Sequence, residues 1–417
     1  MQKEQQFVEF GSCYFSMTLK LLTASMFVCF SALAQDEVKI TSEGTVDARI
    51  PIAVPDVGTT PEMVRAATEM TNVIRYDLDF AGLFKLLPPQ DIPDAFTGFS
   101  EDATQIDFSI WRDADVEYLV YAFVKAEGEE LRAACRLFDA VGGTQVLGKL
   151  ITTNKDHPRL AAHRFSEEII RFLHGVPGVG SSQICFSAGV PGRKEIYIAD
   201  YDGANAMQVT HHNSISIKPK LSPDGHRIAY LSYKDRYPFL YIFDRQTGKS
   251  TTFSKNVGLN AAPAWSPDGA KLALVLSKDG NTEIYMKNLD GTELKRLTEN
   301  KVGDTSPTFS PDGKQIAFVS DRGGRTQIFA MDSDGNNVRR LSYQGGSAYD
   351  PVWSPDGRHI AYVVEKPGEG LEIYVMDATG ENPRRLTDSH GSNESPSWSP
   401  DGRHIAFAGT RSGRSEV

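Results

Sequence analysis

Two hydrophobic rhythms divide the chain. From Ile50 to about residue 176 the apolar positions mix a strand period with a helical one. Ile50 to Val54 predicts a strand, Pro61 to Phe80 an amphipathic helix, and Phe84 to Leu87 a short strand. A helix-like stretch follows near Ile106 to Trp111. Three strand candidates come next, at Val116 to Val124, Leu131 to Phe138 and Gln145 to Thr152. Leu160, Phe165, Ile169, Ile170 and Leu173 recur at helical spacing, and Gly175 with Pro177 closes that helix. Helices beside an antiparallel meander predict a small α/β domain over residues 35–176.

From about residue 177 the pattern becomes periodic. Ser-Pro-Asp-Gly occurs at Ser222, Ser266, Ser310, Ser354 and Ser399, at successive offsets of 44, 44, 44 and 45 residues. A repeat of roughly 40 to 45 residues is the length of one four-stranded propeller blade. Each tetrapeptide follows an apolar residue: Leu221, Trp265, Phe309, Trp353 or Trp398. Three of the four tryptophans share that position, which predicts a packing site between blades. Pro and Gly suit a tight turn, and the Asp can bond its own backbone. Short apolar runs separated by Gly-containing turns complete each repeat, as in Ile316-Ala317-Phe318 and Ile328-Phe329-Ala330. A six-bladed propeller over residues 177–417 is expected, making the fold an α+β two-domain architecture. Gly178 stands where a first tetrapeptide would fall, so the first blade is expected to lack its innermost strand. The chain falls short of six full repeats by about half a repeat. The last blade is therefore expected to be incomplete, through C-terminal truncation.

The N-terminus carries an address. The apolar stretch Leu21 to Leu33 follows Lys20 and ends in Ala32-Leu33-Ala34, the layout of a cleavable secretory signal over residues 1–34. It is too short to span a bilayer, which takes about 20 apolar residues. Met17 is the expected start and cleavage is expected after Ala34, so an exported chain begins at Gln35. Cys13 and Cys29 leave with the signal. Cys135 and Cys185 stay; a disulfide between them is open in an oxidising compartment, though two separately buried thiols are the expectation.

Composition excludes several classes. The formal net charge is −10, with no basic block, which argues against nucleic-acid binding. No G-x-S-x-G elbow appears, so a serine peptidase fragment is disfavoured. Asp332-Ser333-Asp334-Gly335-Asn336 begins like a calcium loop but lacks the closing Glu, and a β-turn is expected. His211-His212 are neighbours on a strand end and point to opposite faces, which is poor metal-site geometry. No catalytic residue, cofactor or metal is expected. A binding scaffold remains, with an unrelated ligand-binding propeller as the alternative.

The combination of an exported chain, a small α/β domain and Ser-Pro-Asp-Gly repeats resembles the TolB family of periplasmic Tol-Pal proteins. Glu37-Val38-Lys39-Ile40 is similar to the family's N-terminal segment, Asp77 to Phe84 resembles its first-domain helix end, and Ala114 to Phe123 its central strand. The resemblance implies a monomeric propeller that binds the lipoprotein Pal at one mouth and supports outer-membrane integrity and cell division. It implies that Glu37, Val38, Lys39 and Ile40 engage the C-terminal domain of TolA, with no direct membrane insertion. Motif matching places the Pal contacts on Leu259, Asn260, Ala262 and Thr305, and geometry alone adds Tyr349 and Glu394. Leu259 stands where familiar relatives have a histidine, which implies an apolar contact there.

Overall fold

The computed structural model describes residues 49–93, 103, 106–343, 345–368, 370–388, 391–413 and 415–417. The signal segment, its cysteines and the Glu37–Ile40 segment lie outside the described residues. The chain divides into two compact units. One comprises Ile184–Ala199 and Asn205–Val417; the other runs up to Gln183 and includes Asp200–Ala204.

The N-terminal unit is built on one sheet with strands β1 (Ile50–Ala53), β2 (Gly58–Thr59), β3 (Phe84–Leu86), β4 (Tyr118–Glu127), β5 (Glu130–Asp139) and β6 (Thr144–Asn154). Their order is β3-β1-β4-β5-β6, with β2 also on β4. The β1, β2 and β3 pairings are parallel, whereas β4, β5 and β6 form the antiparallel meander. Helices α1 (Val64–Phe80), α2 (Phe108–Asp113) and α3 (Pro158–His174) accompany it. Met70, Ile74 and Leu78 of α1 and Phe165 and Ile169 of α3 are buried with Val120, Leu131 and Leu137 of the sheet. Pro158 opens α3, where its missing N–H costs nothing. Gly175 closes it in the left-handed region at φ +72°, its N–H donating to the Arg171 carbonyl.

The second unit is a series of antiparallel sheets. Strands β7 (Gln183–Val190), β8 (Arg193–Asp200) and β9 (Met207–Gln208) form a three-stranded sheet. Four four-stranded sheets follow. The first holds β10 (Ser216–Leu221), β11 (Arg227–Ser232), β12 (Phe239–Asp244) and β13 (Lys249–Ser254). The second holds β14 (Asn260–Trp265), β15 (Lys271–Leu276), β16 (Glu283–Asn288) and β17 (Leu294–Arg296). Strands β18 (Asp304–Phe309), β19 (Gln315–Ser320), β20 (Gln327–Asp332) and β21 (Arg339–Arg340) make the third. The fourth comprises β22 (Ser347–Trp353), β23 (His359–Lys366), β24 (Gly370–Asp377) and β25 (Arg384–Arg385). A hairpin of β26 (Asn393–Trp398) and β27 (Ile405–Gly409) ends the series.

The expectation of six blades is therefore corrected. The described residues form five blade sheets of three or four strands, and the last repeat supplies only a two-stranded hairpin. The first sheet does lack an innermost strand. The segment ahead of β7 is committed to the N-terminal unit, where Ser181 donates its N–H and hydroxyl to Glu167 at 2.9 and 2.7 Å.

The tetrapeptide explains the regular spacing. In Ser310-Pro311-Asp312-Gly313 the Ser310 hydroxyl donates to Asp312 at 2.6 Å and accepts from the Gln315 N–H at 2.9 Å. The Asp312 carboxylate also accepts from the Lys314 N–H. Gly313 adopts φ +70°, and a Cβ there would meet the Pro267 ring of the preceding repeat at 3.6 Å. The same Gly-on-Pro approach joins Gly357 to Pro311 and Gly402 to Pro355. The turn thus both reverses the chain and spaces one blade against the next.

Candidate partner-binding site

The expected contact residues lie on the innermost strand of each repeat, just ahead of the tetrapeptide. That strand has a local feature in all five repeats. The residue four before the tetrapeptide Ser lies in the left-handed region: Lys218, Ala262, Ser306, Asp350 and Ser395, with φ between +45° and +56°. A proline follows each of them: Pro219, Pro263, Pro307, Pro351 and Pro396. Proline cannot donate to a ladder, and the strand pairing slips there in every repeat, for instance between Thr305 and Thr308. Holding a non-glycine residue at such a φ costs about 1–3 kcal/mol, so the surrounding sheet must enforce it.

The bulged residues converge. Lys218 Nζ of β10 lies 3.1 Å from Asp350 of β22 and 3.2 Å from the Ser395 hydroxyl of β26. The Ser306 hydroxyl of β18 donates to the other Asp350 oxygen at 3.2 Å. Four inner strands therefore meet at one polar cluster although their residues are far apart in the chain. Asp350 is raised by burial and lowered more by Lys218, Lys220 and the Ser306 hydroxyl, which together hold its carboxyl below the usual range. The Asp350 charge raises Lys218 above the ordinary lysine value, against the effect of burial. Nearby, burial pushes the Glu394 carboxyl up, opposed by Lys218 and Lys194. Lys194 is itself only 4% exposed, and burial depresses its ammonium.

The structure sorts the expected site residues by what each is free to do. Ala262, Thr305 and Tyr349 are half-buried on adjacent inner strands, and the Tyr349 hydroxyl donates to Glu365 at 3.0 Å. Leu259 is half-buried, and its N–H donates to the Ser277 hydroxyl at 2.8 Å. Asn260 is fully buried. Its amide oxygen accepts from Ser254 and from the Asn256 N–H, and its amide nitrogen donates to the Asn256 carbonyl. Asn260 is thus a brace that shapes the loop rather than a surface group. Asp304 occupies the same repeat position and is also fully buried, held by Arg322 at 2.7 Å and Asn300 at 2.7 Å. Glu394, at 6% exposure, is likewise a buried group.

Sequence reading missed Lys218, Ser306, Asp350 and Ser395. The signal was present as the repeated x-Pro three residues before each Ser-Pro-Asp-Gly, which marks the bulge. Other candidates resolve simply. The 332–336 segment is a turn in which the Gly335 N–H donates to the Asp332 carbonyl at 2.9 Å. His212 stacks on Tyr230 and lies 3.0 Å from its hydroxyl, while His211 is exposed. Cys135 and Cys185 are free thiols, each pushed up to about 12 by burial. No described helix is long and apolar enough to cross a membrane.

A compact α/β unit together with repeated four-stranded blades, whose inner strands meet at shared side chains, defines a two-domain β-propeller protein. A family model described as the TolB beta propeller domain matches residues 171–369 and 345–417, and one for the TolB amino-terminal domain matches residues 37–146. The chain belongs to the TolB family. It is 38% identical over 242 residues to the Tol-Pal system protein TolB of Desulfosudis oleivorans, covering 56% of this chain and 55% of that protein. The TolB homolog of Chlorobium chlorochromatii is 35% identical over 198 residues, covering 48% and 44%. The chain thus spans about half the length of the curated relatives it matches. The crystal structure of TolB from Acinetobacter baumannii superimposes with a TM-score of 0.76 at 29% identity, over 86% of this chain and 88% of that one.

Proposed function

We propose that this chain is a periplasmic, non-catalytic scaffold of the Tol-Pal system. It binds the lipoprotein Pal through the inner-strand loops of its propeller and the C-terminal domain of TolA through Glu37, Val38, Lys39 and Ile40. The observation that carries this reading is the convergence of β10, β18, β22 and β26 on Lys218, Asp350, Ser306 and Ser395, in a chain that belongs to the TolB family. Loops from several blades can then grip one compact partner from several sides, giving specificity through surface complementarity rather than through reacting groups. Ala262, Thr305 and Tyr349 form the contact surface. Leu259 adds an apolar contact, and Asn260 and Glu394 support the loops from within. The terminal segment, residues 37–40, supplies the TolA contact. Pal occupancy and the state of that segment are coupled reciprocally.

Thr305 offers the sharpest test, because it is half-buried and its hydroxyl holds none of the braces described above. Thr305→Arg places a long cation on the surface and is expected to weaken binding of the soluble Pal domain at least tenfold with an unchanged melting curve. Full affinity in that variant would remove the inner-strand loops from the interface.

A further inference from the structure

Within the N-terminal unit, three carboxylates and one imidazole form a cluster that the scaffold role leaves unused. Asp77 of α1 is 3% exposed, and its oxygens lie 3.1 and 2.9 Å from Nδ1 of His163 on α3. It also accepts from the Tyr201 hydroxyl at 2.5 Å. A carboxylate only accepts, so Nδ1 carries a proton, and in the neutral ring tautomer Nε2 presents its lone pair. His163 is 3% exposed, and Nε2 has no hydrogen-bond partner among the described residues. An orphaned acceptor in so buried a ring is unusual. A ring nitrogen of His163 and one carboxylate oxygen each from Asp200 and Asp202 lie within 4.8 Å of one another.

We propose that His163 Nε2, Asp200 and Asp202 bind a divalent transition-metal ion, with Zn²⁺ the preferred occupant and water completing the coordination. Asp77 is the positioning residue, since a ligating histidine characteristically donates its other ring N–H to a carboxylate that fixes its tautomer and orientation. Tyr201 in turn holds Asp77. Asp77, Asp200 and Asp202 gather three carboxylates around the ring, and Asp202 is paired with Arg159. The imidazole selects against Mg²⁺ and Ca²⁺, which favour all-oxygen shells. Ligand atoms about 2.0–2.2 Å from zinc stand about 3.3 Å apart, so binding draws the two carboxylates inward by rotation. The ion would fasten the Asp200–Ala204 turn to α3.

The test is calorimetric titration of ZnCl₂ into the full, metal-stripped chain, with melting curves on the same samples. A single saturable site of micromolar or tighter affinity is expected, with a zinc-dependent rise in melting temperature. Asp202→Asn and His163→Gln are expected to weaken binding at least tenfold and to abolish that rise. His211→Ala, which alters an exposed histidine elsewhere, retains both. Absence of saturable binding in the parent chain, or undiminished affinity in Asp202→Asn, would overturn the site. Should His163→Gln fail to fold, Asp202→Asn decides the question alone.

Discussion

At the residue scale, Asp350 shows how a few side chains set the electrostatics of the inner-strand cluster. Its carboxyl is held below the ordinary range because Lys218, Lys220 and Ser306 outweigh the cost of burial. A depressed folded value means that the charged form contributes stability above the unfolded pKa, near 4, and that this contribution is lost as pH falls through the folded value. Asp350→Asn is therefore expected to flatten the decline in melting temperature between about pH 4 and pH 2. A melt series over that range checks it, and an unaltered acid limb would show that Lys218 gains nothing from the pair. Lys218 and Asp350 are 132 residues apart. Their meeting was illegible in the sequence, because only ring geometry brings those two repeats together. His163 and Asp77, 86 apart, were hidden for the same reason. Asn260 is buried because its amide replaces missing backbone partners inside the turn, an arrangement that rests on Ser254 and Asn256 and not on the repeat motif.

At the scale of the element, the repeat was legible because its determinants are local. The tetrapeptide closes its hydrogen bonds within six residues, and each apolar run pairs with its immediate neighbours. The outer edge follows a second local rule. The Ile284 N–H donates to Thr298, whose hydroxyl donates to the buried Glu283 at 2.6 Å. Ile196, Ile328 and Ile373 repeat the first contact, with Thr210, Ser342 and Thr387. The tryptophan position, read as an inter-blade packing site, differs in detail between repeats. Trp265 donates its indole N–H to the Lys220 carbonyl of the preceding blade at 2.9 Å, and Trp398 donates to Val352 at 3.2 Å. Trp353 is buried and its indole N–H has no partner among the described residues. Both Trp265→Phe and Trp353→Phe lose packing volume, but only the first strands a carbonyl. Trp265→Phe is expected to cost about 1 kcal/mol more, read as a melting temperature lower by about 2 °C. Equal losses would mean that the inter-blade hydrogen bond contributes nothing.

At the scale of the whole molecule, the two-part organisation was legible from the change of hydrophobic period, and the N-terminal strands and helices fell where their apolar positions placed them. The blade count was not, because counting repeats assumes that each period yields four strands. The last one yields two in the described residues, and the first yields three. The proposed function requires that these blade sheets present a surface that takes Pal. Calorimetric titration of the chain from Gln35 with the soluble domain of Pal tests it most directly. A saturable, one-to-one heat signal alongside a cooperative melt is the predicted result. A cooperative melt with no heat of binding would contradict the claim.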